Sequence, residues 1–185
     1  MSLSHALLTS LIEKPSTGSE LARRFDRSMG FFWPATHQQI YRELNNMLLK
    51  GWVSTLEDEH YTGRKKTYQV EASGRAELAD WIYKQSPPAP LREELMVRLR
   101  AEAQLNTSQL LPELQRHLEL HRHNLHIYQL IYNRDFAISD SQPNLQEKTT
   151  YIHKMILQLG INQELGWITW LEQLIPQLQQ FQDQH

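Results

Sequence analysis

The stretch FDRSMGFFWPATHQQIYRELNNMLLKGWV, Phe25 to Val53, decides the fold of the first part of the chain. Three adjacent aromatic residues, Phe31, Phe32 and Trp33, precede a proline and are predicted to lie in the core. After the proline, apolar residues recur at helical spacing, which predicts a helix from Ala35 to Lys50. The opposite side of that helix is polar, so the question is what that side faces. The predicted apolar side consists of Ile40, Leu44, Met47 and Leu48.

Two shorter helices are predicted before this stretch, and a hairpin and a helix after it. Leucines at helical spacing indicate a first helix that ends at a proline. A second helix follows, with Ser16 or Thr17 as its N-cap, Glu20 completing a capping box and Gly30 at its end. Two β-type runs around Gly63 predict a β-hairpin, and the segment EASGRAELADWIYK returns to a helix. This order within about 80 residues is typical of a winged helix-turn-helix domain.

The segment QSPPAP, Gln85 to Pro90, is predicted to divide the chain into two domains. Its prolines cannot continue a helix and favour an extended spacer. We therefore expect a winged helix-turn-helix domain over residues 1–84, a proline-rich linker over 85–90 and an all-helical domain over 91–185. The fold class is mostly α with a small β-hairpin. The second domain is expected to contain three helices, the last kinked or frayed by Pro176: Leu91–Leu105, Ser108–Asn133 and Leu145–Phe181.

The last predicted helix carries a long apolar stripe that has few neighbours in its own chain. A stripe of this kind needs a second surface to cover it, so we expect a homodimer. Trp167 and Trp170 are interpreted as aromatic residues of the dimer core, with a slot for a planar hydrophobic ligand between subunits as the alternative. The residues predicted at the dimer interface are Ile152, Met155, Ile156, Leu159, Trp167, Ile168, Trp170, Leu171, Ile175 and Leu178.

Composition restricts the class of protein without deciding its function. Of the 185 residues, 40% are hydrophobic and 22% are charged, which is typical of a globular chain. No cysteine is present, so disulfides, thiolate metal sites and cysteine nucleophiles are excluded. No run is long and apolar enough to span a membrane, and the N-terminus lacks the basic residues and cleavage site of a signal peptide. We therefore expect a soluble, cytoplasmic protein.

The charge balance gives no overall attraction to nucleic acid, since the formal net charge is −2. Residues 1–84 contain 11 Lys and Arg against 10 Asp and Glu, and residues 85–185 contain 8 against 11. Neither half is strongly basic. Contact with a polyanion must therefore come from local clusters, such as Arg23, Arg24 and Arg27, or Arg64, Lys65 and Lys66.

The polar side of the helix Ala35–Lys50 has the chemistry of a DNA-reading surface. Amide side chains suit adenine, and a guanidinium group suits guanine or phosphate. The helix is also third in the predicted order, where DNA-reading helices occur. An ordinary solvated face is the alternative, and it is weakened because Glu43 is the single acid near this face. The polar side holds Gln38, Gln39, Arg42, Asn45 and Asn46, with His37 and Tyr41 at its margin and Thr36 before it.

The hairpin turn HYTGRKKTY carries three adjacent cations, Arg64, Lys65 and Lys66. One interpretation is a wing whose cations contact the backbone of a duplex without reading its sequence. The other is a solubilising hairpin tip. The three acids Glu57–Glu59 precede the turn and would repel phosphate, so the wing interpretation requires that they lie on the first strand or point away.

Four histidines in RHLELHRHNLH raise the question of a metal site. His117 and His121 have the i, i+4 spacing of two zinc ligands, but no third ligand and no HExxH pattern are identifiable. Surface histidines or a weak pH-sensitive interface fit better than a metal centre. No nucleophile elbow, Walker A or dinucleotide motif is present, so an enzyme is poorly supported and we expect no cofactor.

Residues 1–84 resemble the PadR family of bacterial transcriptional regulators. The run FFWPATHQQIYRELNNM is close to the third helix of that family, and GRKKTYQVEASGRAELADWI is similar to its wing strand and following helix. The tail, with LREELMVRL and WITWLEQL, resembles the longer-tailed branch that includes the virulence-gene activator type.

The resemblance implies a dimeric winged-helix regulator that binds double-stranded DNA at an inverted repeat. It places Gln38, Gln39 and Arg42 towards the major groove and lets Tyr41 reach a phosphate; the full set of predicted DNA contacts is Thr36, His37, Gln38, Gln39, Tyr41, Arg42, Arg64, Lys65 and Lys66. Phenolic acids or planar drugs are effectors of some members, so a small planar hydrophobic effector is a further expected partner, without an assigned site. A winged-helix adaptor that binds protein and never DNA is the alternative function.

Overall fold

The structure is a computed structural model that describes residues 3–26, 33–57, 66–105, 107, 109–136 and 145–183. It divides into two compact units, Met1–Ala89 and Pro90–His185. The fold is mostly helical with one small antiparallel sheet, which confirms the predicted fold class.

In its described residues, the first unit contains four helices and three strands. The sheet has the order β1-β3-β2, with Tyr68 of the central strand opposite Ser16 on one side and Thr55 on the other. The hairpin of β2 and β3 was predicted, whereas the two-residue strand β1 was predicted only as a helix cap. The elements are α1 (Leu3–Glu13), β1 (Ser16–Thr17), α2 (Gly18–Asp26), α3 (His37–Leu49), β2 (Val53–Glu57), β3 (Lys66–Val70) and α4 (Ala72–Ile82).

The core of the first unit is formed by one apolar side of each helix packed on the inner face of the sheet. Trp33 packs half-buried at the edge of this core, while Phe31, Phe32 and Gly30 lie outside the described residues. The predicted apolar side of α3 is confirmed, since Ile40 and Leu44 are fully buried. The buried core residues are Leu7, Leu8, Leu11, Leu21, Ala22, Phe25, Ile40, Leu44, Met47, Val53, Tyr68 and Leu78.

The helix starts and ends in this unit follow local chemistry. The predicted capping box of α2 is present: the Thr17 N–H donates to Glu20 Oε2 at 3.0 Å and the Glu20 N–H donates to Thr17 Oγ1 at 3.3 Å. Arg24 donates to the carbonyl oxygens of Lys14, at 2.9 Å, and of Ser10. Its guanidinium therefore satisfies the C-terminal end of α1, which corrects its assignment to a cationic cluster for polyanions.

Gly74 explains why α4 can lie close to the end of α3. A Cβ atom built at this position would stand 2.3 Å from the backbone oxygen of Trp52. Only glycine permits this approach. A separate contact holds α4 to α1: the His5 ring of α1 stacks on Trp81 of α4 at 4.6 Å, and His5 Nε2 lies 3.1 Å from Glu77 Oε1.

Three helices make up the described part of the second unit. The first helix begins three residues later than predicted, because the Glu93 carboxylate accepts the Leu95 N–H at 3.1 Å and so caps the helix at that point. The last helix continues through Pro176 to Asp183, beyond the predicted end at Phe181. The elements are α5 (Glu94–Leu105), α6 (Leu111–Phe136) and α7 (Leu145–Asp183).

The main apolar cluster of the second unit involves the C-terminal half of α7. Leu171 and Ile175 pack with Leu95 of α5 and Leu114 of α6, and Leu171 has no exposed surface. Within one chain, α5 and α6 therefore already cover Leu171 and Ile175 at this end of the predicted interface. Of the predicted interface residues in this part, three are buried and three are partly buried against this core: Ile168, Leu171 and Ile175, and Trp167, Trp170 and Leu178.

The N-terminal half of α7 has a different surface. Ile152, Met155, Ile156 and Leu159 are between 44% and 60% exposed. These four residues are called the open stripe. Four large apolar side chains within eight residues of one helix side are unusual for a surface that water covers.

Candidate nucleic-acid interface

The start of α3 is fixed by a capping box that its own sequence supplies. The Thr36 N–H donates to Gln39 Oε1 at 2.8 Å, and the Gln39 N–H donates to Thr36 Oγ1 at 3.2 Å. The sequence Thr-x-x-Gln before an apolar run is a signal for this arrangement. Thr36 and Gln39 were predicted as DNA contacts, and the structure gives both a further role in ending the loop and starting the helix.

The outward side of α3 is polar and open over its full length. All six residues of this surface that were predicted as DNA contacts are exposed, and Tyr41 is 42% exposed. Asn45 and Asn46 continue the surface towards the C-terminal end of the helix. Just beyond that end, Lys50 Nζ lies 4.2 Å from the centre of the Trp52 ring. The exposed set is Thr36, His37, Gln38, Gln39, Tyr41 and Arg42.

Some of these polar side chains are already bonded within the chain. His37 Nε2 lies 3.0 Å from Asp26 Oδ2 at the end of α2, so this contact joins the two helices. Asn46 Nδ2 donates to Glu43 Oε2 at 3.2 Å. The side chains of Gln38 and Arg42 make no hydrogen bond or ion pair to the described residues. The outward surface therefore carries some polar side chains that are bonded within the chain and others, such as Gln38 and Arg42, that are not.

Tyr41 packs directly on the first residue of α2. A Cβ atom built at Gly18 would stand 2.4 Å from Tyr41 Cε1, so the ring occupies the space that any larger residue would need. Tyr41 also faces Tyr68 of the sheet: burial, with a smaller contribution from Tyr41, raises the pKa of the Tyr68 phenol above its usual value. The sequence analysis missed Gly18, because a glycine after Thr17 reads as part of a cap rather than as a close approach.

The hairpin is described up to both sides of its turn. Lys66 is exposed on β3, opposite Glu57 at the end of β2. The position of Glu57 on the first strand is the one that the wing interpretation requires. Arg64, Lys65, Asp58 and Glu59 lie outside the described residues.

The histidine-rich part of α6 pairs with α7. His121 Nδ1 lies 2.5 Å from Glu164 Oε2, and the His121 ring stacks on Trp167 at 5.0 Å with an interplanar angle of 6°. His117 Nε2 lies 3.4 Å from Glu113 Oε1. Within the described ranges, no group of three or more His, Asp or Glu side chains converges to hold a metal ion. The geometry gives His121 a role in joining the two helices.

The aromatic pair proposed for a ligand slot lies in packed surroundings. Trp167 and Trp170 meet edge to face at 5.5 Å, partly covered by the core of the second unit. A shallow cavity of about 340 Å³ lies elsewhere between α6 and α7. Its lining is mostly amide side chains, with one phenol and one aliphatic residue: Gln129, Tyr132, Asn133, Gln158 and Ile161.

Membrane insertion finds no support in the helices. In the part of the chain that the structure describes, none of them combines the length and the hydropathy that crossing a bilayer requires.

Comparison with known sequences gives two family matches that follow the two units. Residues 7–80 match the transcriptional regulator PadR-like family, and residues 91–179 match the virulence activator alpha C-term family. The chain is 38% identical to the probable transcriptional regulator Rv1176c of Mycobacterium tuberculosis, over 97% of this chain and 99% of that protein. It is 24% identical to the negative transcriptional regulator PadR of Bacillus subtilis, over 95% and 97% of the two chains.

Solved structures agree with this assignment. The virulence activator AphA of Vibrio cholerae superposes with a TM-score of 0.79 at 26% identity, covering 97% of this chain and 99% of AphA. B. subtilis PadR in complex with operator DNA gives the same TM-score at 24% identity, covering 95% and 97%, and shares the fold. B. subtilis PadR in complex with p-coumaric acid gives a TM-score of 0.73 at 26% identity, covering 96% and 98%.

The family and these relatives are transcriptional regulators, which confirms that the chain is a regulator rather than an enzyme. The structural neighbours are winged-helix regulators with a helical C-terminal domain, and the helices and small sheet of the first unit agree with that fold. An exposed polar third helix on a closed core, a cationic hairpin and a helical tail all agree with that assignment. The chain belongs to the PadR-like family of transcriptional regulators.

Proposed function

We propose that the protein is a homodimeric, sequence-specific DNA-binding regulator that acts in the cytoplasm on an inverted-repeat operator. The observation that carries the proposal is the outward side of α3, which presents amide and guanidinium groups from a helix fixed at both ends. B. subtilis PadR, which has the same fold, binds operator DNA. A helix held rigidly by its core can enter a major groove without losing its geometry.

The parts of the first unit divide the work of binding in this proposal. Gln38 and Arg42 read base edges, whereas His37 and Tyr41 lie at the margin and contact phosphates. Thr36 and Gln39 serve the interface by holding the start of α3. The wing cations Arg64, Lys65 and Lys66 contact the phosphate backbone on the side of the hairpin.

The dimer in this proposal forms through the open stripe of α7. Its four apolar residues are half-exposed in a single chain, and a second copy covers them with the same surface about a two-fold axis. A two-fold protein matches a two-fold operator, which predicts the inverted repeat. The segment 85–90 serves as the linker between the DNA-binding and dimerisation domains.

A mobility-shift series with genomic fragments at several salt concentrations tests the proposal. We expect binding to a few fragments that survives competitor DNA and weakens steeply as salt rises. Failure to bind any fragment, together with capture of a defined protein partner, would overturn the proposal in favour of the adaptor. Sedimentation of the full chain tests the dimer, which is excluded if the protein is a monomer at micromolar concentration.

The wing has its own test within this proposal. Arg64→Ala should weaken specific and non-specific DNA alike, and should reduce the slope of log affinity against log salt by about one unit. A change of base preference with an unaltered slope would contradict the assignment of Arg64 to phosphate.

A small planar effector is a further part of the proposal. The supporting observation is that B. subtilis PadR binds p-coumaric acid. Titration of the protein with p-coumaric acid should quench tryptophan fluorescence and release bound DNA. An unchanged signal at millimolar ligand removes phenolic acids of this kind from the proposal.

A further inference from the structure

The outward side of α3 divides into residues that are bonded within the chain and residues that are not. Gln39 Oε1 accepts hydrogen bonds from Thr36, Asn46 donates to Glu43, and His37 pairs with Asp26. By contrast, the exposed side chains of Gln38, Arg42 and Asn45 make no hydrogen bond or ion pair to any residue in the described part of the chain. These three residues are called the open row.

The open row lies on one narrow strip of the helix. At about 100° per residue, Gln38, Arg42 and Asn45 fall within roughly 60° of arc, whereas Gln39 and Asn46 fall about 80–100° to one side of Gln38. Arg42 lies between the two pairs of amides: Gln38 and Asn45 are about 40–60° from it on one side, and Gln39 and Asn46 are about 40–60° from it on the other. The helical geometry allows either pair to act with Arg42, and the local hydrogen bonds of Gln39 and Asn46 leave Gln38 and Asn45 as the open pair.

The chemistry of the open row determines which bases it can read. A Gln or Asn amide matches the N6 and N7 groups of adenine, and an Arg guanidinium matches O6 and N7 of guanine. The distance along the helix from Gln38 to Asn45 is about 10 Å, since each residue rises about 1.5 Å. This length corresponds to about three base-pair steps of roughly 3.4 Å. One helix can therefore read about four neighbouring base pairs.

We propose that each protomer reads its half-site through Gln38, Arg42 and Asn45, and that the half-site is a G·C pair with an A·T pair on each side. This inference rests on the proposed function and deepens it, because it assigns Asn45 to base reading and names the base pairs. Gln39 and Asn46 do not read bases, since their amides are committed to Thr36 and Glu43. Gln39 contributes to DNA binding only by capping the start of α3.

Selection of bound sequences from a random duplex library, with the full-length protein, tests the order of bases. We expect enriched half-sites in which a G·C pair is flanked within two positions on each side by A·T. Replacing that guanine with 7-deazaguanine removes the N7 acceptor and should weaken binding. Enrichment of half-sites without a central G·C pair would overturn the assignment of Arg42.

Single substitutions then use the neighbouring amides as matched controls. Gln38→Ala and Asn45→Ala should each lower affinity for the selected site by roughly 5- to 150-fold and remove the preference for A·T on opposite sides of the guanine. Asn46→Ala should leave both affinity and base preference unchanged. Gln39→Ala should lower the thermal midpoint and weaken binding to all sequences alike.

The outcomes separate this inference from the proposed function. If Gln39→Ala or Asn46→Ala relaxes base preference and Asn45→Ala does not, the assignment of base reading to the open row is wrong, while α3 remains the reading helix. If Arg42→Ala weakens all sequences equally and reduces the salt slope, Arg42 contacts phosphate and the row is again wrong. If none of these substitutions changes binding, α3 is not the reader and the proposed function itself fails.

Discussion

The two units of the chain differ in how completely they cover their apolar side chains. In the winged-helix unit, the buried face of every helix meets another element, and twelve residues form one closed core. In the helical unit, the C-terminal half of α7 is covered by α5 and α6, but the open stripe on the N-terminal half is not. A unit that closes on itself can present a rigid surface, whereas a unit left half-open is suited to a partner.

Leucine truncation in the two covered cores should give the largest effect. Leu44 of α3 and Leu171 of α7 both have no exposed surface. Leu44→Ala and Leu171→Ala should each lower the free energy of unfolding by about 2–5 kcal/mol, because each removes buried methyl groups and leaves a cavity. Denaturant unfolding measures both, with Leu49→Ala as the control because Leu49 is 88% exposed. A loss for Leu171→Ala no larger than for the control would show that α5 and α6 do not cover α7.

A charge in the open stripe should separate dimerisation from folding. Ile156→Lys should weaken the dimer by about 2–4 kcal/mol, since a buried interface residue is replaced by a cation that must be desolvated. Sedimentation equilibrium measures this shift. Thr169→Lys is the control, because Thr169 is exposed on the covered half of the same helix. Equal weakening by both variants would argue that the interface lies elsewhere.

Loss of the α3 cap should have an intermediate effect confined to the first unit. Thr36→Ala removes the hydroxyl that accepts the Gln39 N–H, and should cost about 1 kcal/mol of stability. Thr36→Ser keeps the hydroxyl and should retain most of that stability. Thermal unfolding compares the two variants, and an equal loss for both would mean that the hydroxyl does not cap the helix.

The smallest effect concerns the Glu113 carboxylate, which accepts hydrogen bonds from Arg116 and lies 3.6 Å from Arg98 of α5. The hydrogen bond from Arg116, with the charges of Arg116, His117 and Arg98, lowers the pKa of Glu113 from 4.5 to about 2. Because the folded pKa is depressed, the stabilisation is present above pH 4.5 and is lost as the pH falls towards 2.

Glu113→Gln should therefore lower the thermal midpoint slightly at neutral pH and flatten its decline below pH 4.5. Glu119→Gln is a suitable control, because Glu119 is more exposed and pairs with Arg122 within α6. If the thermal midpoint of Glu113→Gln falls with acid as steeply as that of the unaltered protein, the Glu113 cluster does not stabilise the contact between α5 and α6.

Much of the fold could be predicted because its signals are local. The capping box at Thr17 and the apolar spacing of Ile40, Leu44 and Met47 each act within a few residues. The structure confirms all of these. The start of α5 at Glu94 was misplaced, because the capping Glu93 gives a weaker signal than the leucine spacing around it.

The rest depended on contacts between distant parts of the chain. Strand β1 is two residues long and exists only because β3 returns beside it. The cover over Leu171 comes from residues of α5 and α6 that lie more than 50 residues earlier in the chain, such as Leu95 and Leu114. The bonds of the α3 amides are local, but the sequence could not show which of them form, because a partner three residues away permits a hydrogen bond without requiring it.

The two helices of the helix-turn-helix begin with the same device but with a different charge. At α2 the third residue of the capping box is Glu20, whose carboxylate also suits the positive end of the helix dipole. At α3 the same position holds the neutral Gln39. A glutamate there would cap the helix and add to its stability, but it would bring a negative charge to the side that we propose faces DNA. In this binding mode, high stability of the free protein and high affinity for DNA therefore favour different residues at position 39. Gln39→Glu would raise the melting temperature of the free protein while weakening its hold on the operator.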